Sequence, residues 1–255
     1  MCVLAFAWRA HPDWPLVLAG NRDELHARPA APLARWDEAP EVLGGRDLEG
    51  GGTWLGVSER GRMAVVTNLR GFGPLSPEPP SRGRLVRDVL TGEGPYAHVS
   101  EPELGDFNPM NLIVVSEGEA SFWSNRPRPA IRTLAPGLYG LSNGDLDAPW
   151  PKTLRLKAML AAWLDGPAHE SAPLLADLAD ETRPPDEALP STGLDLERER
   201  LVSPIFIRAE RYGSRCSTVV RIDAQGRGEI VERRFGPEGA PAGETALKFN
   251  WPWGW

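Results

Sequence analysis

Cysteine at position 2, directly after the initiator methionine, has more chemistry open to it than any other residue of this 255-residue sequence. A side chain this small normally permits removal of the methionine before it. The new terminus would carry a thiol nucleophile and, on the same residue, an α-amine with a pKa near ~7.7–8.0. Such an amine accepts a proton at neutral pH, so one residue supplies both attacker and base. The plainer alternative is a small apolar residue in a buried strand. With Met1 retained, Cys2 has no basic amine and is no N-terminal nucleophile.

A second set of polar residues is Asn21-Arg22-Asp23-Glu24, which follows the strand-like run 16–19. Adjacent polar groups at a strand end form either a solvated turn or the polar half of a site. Other segments accumulate around it. Gly51-Gly52-Thr53-Trp54-Leu55-Gly56 reads as a close-approach turn entering a strand. Thr67-Asn68-Leu69-Arg70 ends the next strand with an amide and a guanidinium, and Leu141-Ser142-Asn143-Gly144 ends another. Tyr212-Gly213-Ser214-Arg215-Cys216-Ser217-Thr218 begins a late strand, where Cys216 reads as plain packing. A metal site from Asp23, Glu24 and Asp47 is conceivable, but neighbouring carboxylates are usually just solvated. His11, His26, His98 and His169 form no ligand motif; His26, five residues from Asn21, is the one to follow.

The elements that must position these residues are short. Apolar or alternating runs at 2–8, 16–19, 53–57 and 63–68 read as strands. Glu59-Arg60-Gly61-Arg62 and Glu117-Gly118-Glu119 fit hairpins, the second joining strands at 111–116 and 120–124. Residues 73–80 are proline-rich and read as loop. Helices are expected at 84–90, at 151–164 with Pro151 in the first turn, and at 172–179. Residues 183–192 read as loop, and strands return at 205–208, 217–223, 228–235 and 246–249. Strands, then helices, then strands again indicate an α+β chain without a parallel βα repeat, and one domain over 1–255.

Composition narrows the function. Hydrophobic residues make up 41%, enough for a sizeable core, and the net charge of −7 argues against nucleic acid and anionic membrane partners. No apolar run approaches the roughly 18 residues that span a bilayer. The first residues lack a basic segment and a small-residue cleavage site. Two cysteines are too few for a disulfide framework. Zinc-ribbon, zincin and P-loop motifs do not occur. The expectation is a soluble protein of a bacterial cytoplasm.

Taken in order, Cys2, Asn21-Arg22-Asp23-Glu24, the Gly-Gly-Thr-Trp-Leu-Gly run, Thr67-Asn68-Leu69-Arg70, Ser81-Arg82-Gly83, Leu141-Ser142-Asn143, Pro149-Trp150-Pro151-Lys152 and Tyr212-Gly213-Ser214-Arg215 resemble the NRDE family, the transport and Golgi organisation protein 2 group. The resemblance runs from residue 2 to about residue 221. It implies the N-terminal-nucleophile hydrolase fold, a four-layer αββα sandwich of two antiparallel sheets. It also implies a distant likeness to choloylglycine hydrolases and penicillin V acylases, which place their early arginine before an asparagine and an acid; here Asn21 precedes Arg22. Carried onto this sequence, the catalytic residues would be Cys2, Arg22, Asp23, Asn143 and Arg215, with Asn68 as a second amide donor. Cys2 would attack a carbonyl, Asp23 would orient the α-amine, and Asn143 with Asn68 would stabilise the oxyanion. Arg22 and Arg215 would lower the thiol pKa.

Two functions remain. One is a cysteine amidohydrolase on a small amide or acyl conjugate, needing no cofactor. The other is a non-catalytic carrier of haem or acyl lipid, since the resemblance also implies haem trafficking and acyl-lipid or coenzyme A metabolism. The terminal Trp251-Pro252-Trp253-Gly254-Trp255 is either an aromatic flap over a ligand or a tail packed on the domain.

Overall fold

All seven residues of β1 (Cys2–Trp8) are buried, so this strand needs cover on both faces. The computed structural model describes residues 2–73 and 75–252 and supplies that cover. Leu4, Phe6 and Trp8 face a second sheet, while Val3, Ala5 and Ala7 lie under helices. The elements following β1 are β2 (Leu16–Leu25), β3 (Ala30–Trp36), β4 (Ala39–Asp47), β5 (Leu55–Ser58), β6 (Arg62–Asn68) and α1 (Arg82–Thr91). Next come β7 (Met110–Ser116), β8 (Glu119–Ser124), β9 (Ala130–Thr133), β10 (Gly137–Leu141), α2 (Pro151–Leu164), α3 (Ser171–Asp177) and α4 (Leu196–Leu201). The chain closes with β11 (Tyr212–Ile222), β12 (Arg227–Phe235) and β13 (Pro241–Asn250).

Two antiparallel sheets result. One has the order β10-β1-β2-β11-β12-β13 and the other runs β3 to β9 in sequence. Leu16 and Leu18 of the first sheet meet Leu55, Val57, Met63 and Val65 of the second in the central core. Leu156, Leu160 and Trp163 of α2 cover the outer face of the first sheet with Leu174 and Leu175 of α3. Leu85, Val86, Val89 and Leu90 of α1 cover the second. The chain is therefore an α+β, four-layer αββα sandwich, the layer order that the resemblance implies. No helix among the described residues is long and apolar enough to cross a membrane.

Several expected elements differ. Residues 21–24 do not end the strand that precedes them; they continue β2 to Leu25. β11 pairs along the whole segment and β1 pairs with Asn21 and Arg22, so the ladder holds the backbone while the polar side chains find partners above and below the sheet. The run 205–208 is coil, not strand, and is buried through Ile207. The Ile205 carbonyl accepts from Asn21 Nδ2 at 2.9 Å, Phe206 N–H donates to the Asp180 carbonyl at 2.8 Å, and Ile207 N–H donates to Ser214 Oγ at 3.0 Å. β3, β4, β9 and α4 were not expected; their burial patterns are irregular or largely exposed, which hides their periodicity. Trp251 is buried in the inter-sheet core, and its N–H donates to the Gly226 carbonyl at 2.7 Å. Met1 and residues 253–255 lie outside the described residues, and with them the removal of Met1 and the rest of the tryptophan tail.

Candidate active site

Cys2 begins β1 on the face that looks between the sheets, opposite Arg22 in β2. Its carbonyl accepts from Ser142 Oγ at 2.8 Å, which ties the strand end to the turn after β10. The thiol, 7% exposed, lines a cleft of about 460 Å³ together with Arg22, Asp23, Glu24, Thr53, Asn68 and Arg82. The other wall is the proline-rich loop that precedes α1, through Pro77, Pro79, Pro80 and Ser81.

Two glycine-bearing segments close the cleft by backbone contact. Thr53 N–H donates to the Gly83 carbonyl at 3.2 Å. A Cβ on Gly52 would lie 2.0 Å from that carbonyl oxygen, so only glycine lets the strand-entry turn meet the start of α1.

Successive residues of β2 point to opposite sides, and their roles divide accordingly. Asn21 faces the helical layer, where Nδ2 donates to the Leu178 and Ile205 carbonyls at 2.8 and 2.9 Å and Oδ1 accepts from Ser217 Oγ at 2.7 Å. Arg22 faces the cleft and donates Nη2–H to Asp47 Oδ2 at 3.0 Å. That same oxygen accepts from Arg28 Nε at 2.7 Å. Burial alone would raise the Asp47 carboxyl, but the Arg28 contact and the Gly50 N–H outweigh it and hold it below the usual carboxylate range. Asp23, 1% exposed, accepts from Ser214 Oγ at 2.6 Å, and burial pushes its carboxyl up. Asp23, Glu24 and Asp47 thus do not converge on a common point. Among the described residues no group of three His, Cys, Asp or Glu is placed to hold a metal.

The thiol itself departs from expectation. Burial pushes the Cys2 pKa up and the Asp23 charge adds to that rise; the Arg22 charge lowers it by less. Arg22 acts in the expected direction, Arg215 is not among the charges acting on the thiol, and desolvation of the thiolate outweighs the arginine field.

The two amides are placed in sequence, one behind the other. Asn68 lines the cleft, while Asn143 is fully buried and donates Nδ2–H to the Asn68 carbonyl at 2.9 Å. Arg215 stands on a β-bulge, between the pairs Ser214 with Asp23 and Cys216 with Arg22. Its Nη1 donates to the Leu25 and Arg28 carbonyls at 2.7 and 2.9 Å, and it lines a neighbouring compartment, not the cleft of Cys2. Cys216 is buried and lines that compartment too; burial pushes its thiol up strongly. The structure therefore brings Cys2, Arg22, Asp23 and Asn68 to one cleft and leaves Asn143 and Arg215 one step away.

Sequence reasoning assigned no role to Arg82 or Lys152, although both sit in segments it singled out. Arg82 donates Nη1–H to the Pro109 carbonyl at 3.0 Å on the cleft wall. Lys152 is buried and donates Nζ–H to the Val202 carbonyl at 2.9 Å. Burial lowers its pKa to about 8, with the Asp23 charge opposing. No histidine lines the cleft among the described residues. His11 and His169 instead pack with Trp14 and Trp163 on the outer, helical side, and the His26 backbone N–H donates to the Arg211 carbonyl at 2.9 Å beyond the cleft.

Similarity to known proteins covers most of the chain. Curated relatives include a Transport and Golgi organization protein 2 homolog of Bos taurus, 35% identical over 257 residues that cover 91% of this chain and 92% of the relative. The Mus musculus homolog is 32% identical over 262 residues, with the same coverages. Similar solved structures include a Caenorhabditis elegans N-acylethanolamine-hydrolyzing acid amidase ortholog, at 14% identity and TM-score 0.49, covering 86% of this chain and 92% of that chain. The C2A mutant of conjugated bile acid hydrolase from Clostridium perfringens is 9% identical at the same TM-score, covering 97% and 92%. At TM-scores below 0.5 these likenesses carry no argument about activity. The family model described as Transport and Golgi organisation 2 matches residues 1–237, and the chain belongs to that family.

Proposed function

We propose that the chain is a cysteine hydrolase of a small amide or acyl conjugate, with Cys2 as nucleophile. The observation that carries this reading is the thiol at the head of β1, on the wall of a cleft that also holds Arg22, Asp23 and Asn68. Because burial keeps the resting thiol protonated, attack needs a base at the moment of reaction. The Cys2 α-amine, once Met1 is gone, is that base. Sulfur adds to the substrate carbonyl carbon as the amine takes the thiol proton. Asn68 donates to the developing oxyanion, a contribution of about 2.7–4 kcal/mol for one well-aimed donor. Asn143 fixes the Asn68 backbone from behind. Collapse breaks the bond to the leaving amine, which departs with the proton, and water then hydrolyses the thioester.

The test is turnover of a panel of N-acyl amides and acyl thioesters by untagged protein and by Cys2→Ala. The reading expects hydrolysis of at least one member by the wild type and its loss in the variant. Equal turnover by both proteins would overturn it.

A second reading, carriage of haem or acyl lipid without turnover, is favoured by the burial that holds the Cys2 thiol above its usual range. A carrier of acyl lipid does not need the thiolate, whereas haem held through the Cys2 sulfur would require it to ionise, since no histidine lines the cleft among the described residues. A haem titration without a saturable Soret shift, for wild type or Cys2→Ala, removes the haem form of this reading.

A further inference from the structure

Beside the cleft of Cys2 lies a second compartment of about 400 Å³, within the size range of small-molecule sites. The two share Arg22, Asp47, Thr53 and Trp54 in their walls, so they adjoin. Register explains the layout. Cys2 pairs with Arg22, Arg22 with Cys216, and Cys216 with Arg234, a single row across β1, β2, β11 and β12. Adjacent strands are ~4.8 Å apart, so the row runs from the thiol into the compartment over roughly 10 to 15 Å.

Charge in this compartment is unevenly matched. Asp47 is taken up by Arg22 and Arg28. Glu232, 5% exposed, accepts from the Leu33 N–H at 2.9 Å and from Arg234 Nη1 at 3.4 Å. Gly45 leaves that carboxylate its room, since a Cβ there would lie 3.1 Å from Oε2. Arg215 is different: among the described residues no carboxylate lies within 4.0 Å of it, although it stands in the wall beside Arg22. Its Nη1 is spent on two carbonyls, which fixes the guanidinium in place. Burial and the like charge of Arg22 both disfavour its ionised form. An oxyanion in the compartment would accept the remaining guanidinium N–H groups and relieve that repulsion. Trp54, Phe235 and Pro32 add apolar wall beside it.

We propose that this compartment is an oxyanion subsite, which seats the carboxylate or phosphate end of an organic ligand on Arg215 while the ligand's apolar body lies against Trp54 and Phe235. The same ligand, extended by roughly 10 Å along the strand row, puts an acyl carbonyl at Cys2. This role in turnover rests on the hydrolase reading; the binding does not.

Calorimetric titration of the full chain carrying Cys2→Ala tests the subsite without turnover. The probes are 4-phenylbutyrate, phenyl phosphate and the neutral 4-phenylbutanol, at low ionic strength. The expected result is one site for at least one anion, with the alcohol at least about tenfold weaker, as loss of a charge-assisted hydrogen bond requires. Arg215→Gln should weaken the anion by a similar factor and leave the alcohol unchanged. The tighter anion identifies the group. Because Arg215 also holds two carbonyls, Arg234→Gln on the far wall is the second variant and should weaken the anion as well. Arg82→Gln, on the thiol cleft alone, should change affinity by less than about twofold. No anion binding, equal affinity for the alcohol, or binding lost in Arg82→Gln but kept in Arg234→Gln would each overturn the proposal. Turnover lost in Cys2→Ala with anion binding retained separates the subsite from the hydrolase reading.

Discussion

Asp47 accepts from two guanidiniums through one oxygen, and its other oxygen takes the Gly50 N–H at 2.8 Å. Asp47→Asn removes the charge that matches Arg22 and Arg28 and should cost about 1–3 kcal/mol, read by denaturant unfolding at pH 7. The wild-type advantage should be present above the unfolded aspartate pKa near ~3.9 and disappear as pH falls through the lower folded value. Lys152 has a linkage of the same sign in a higher pH window. Its folded pKa, about 8, lies below the unfolded one. Between that value and ~10.4 the unfolded chain binds the extra proton, so stability rises with pH by at most about 1.4 kcal/mol per unit. Comparison with Lys152→Met across pH 7 to 10 isolates this rise; a constant difference between the two proteins would contradict it. At this scale the sequence revealed which residues matter more fully than what they do. Cys2, Arg22, Asp23 and Asn68 were legible as polar groups at strand ends and share one cleft. The rank of Asn143 behind Asn68 depends on one side chain reaching one carbonyl, which no spacing encodes.

Among the elements, β2 shows best how polar residues hold a strand. Asn21, Arg22, Asp23 and Glu24 look like a turn because all four are polar and strand propensity is low for Asn, Asp and Glu. They extend β2 because each alternate side chain has a built partner: carbonyls and Ser217 for Asn21, Ser214 for Asp23 and Asp47 for Arg22. The contact of the turn before β5 with the start of α1 sets the cleft's width. Gly52→Ala drives a methyl into the Gly83 carbonyl, at 2.0 Å from its oxygen. The expected cost is about 1–3 kcal/mol. That corresponds to a fall in melting temperature of roughly 2–12 °C for a chain of this size. An unchanged melting temperature would contradict the close approach. The glycines were visible in the sequence as a turn; the partner backbone, thirty residues on, was not.

For the whole molecule, two sheets face to face leave an open end where β1 begins, and the cleft and its neighbouring compartment occupy that end side by side. Apolar continuity in β1 made burial on both faces legible, whereas the order β10-β1-β2-β11-β12-β13 rests on contacts across more than 100 residues that no local pattern carries. Trp251 closes the core at the other terminus. Trp251→Ala should cost about 3–5 kcal/mol, as for other buried tryptophans, and a purely ligand-covering role would leave thermal stability unchanged.

The central claim is that Cys2 is the nucleophile, and its most direct test is the intact mass of untagged protein before and after a thiol-reactive acylating probe, with the label mapped to a peptide. The account predicts a mass lacking Met1 and a single label on Cys2, with Cys216 unlabelled because, mid-strand, it has no α-amine of its own to take the proton of its buried thiol. A retained Met1, or a label on Cys216 with none on Cys2, would contradict it.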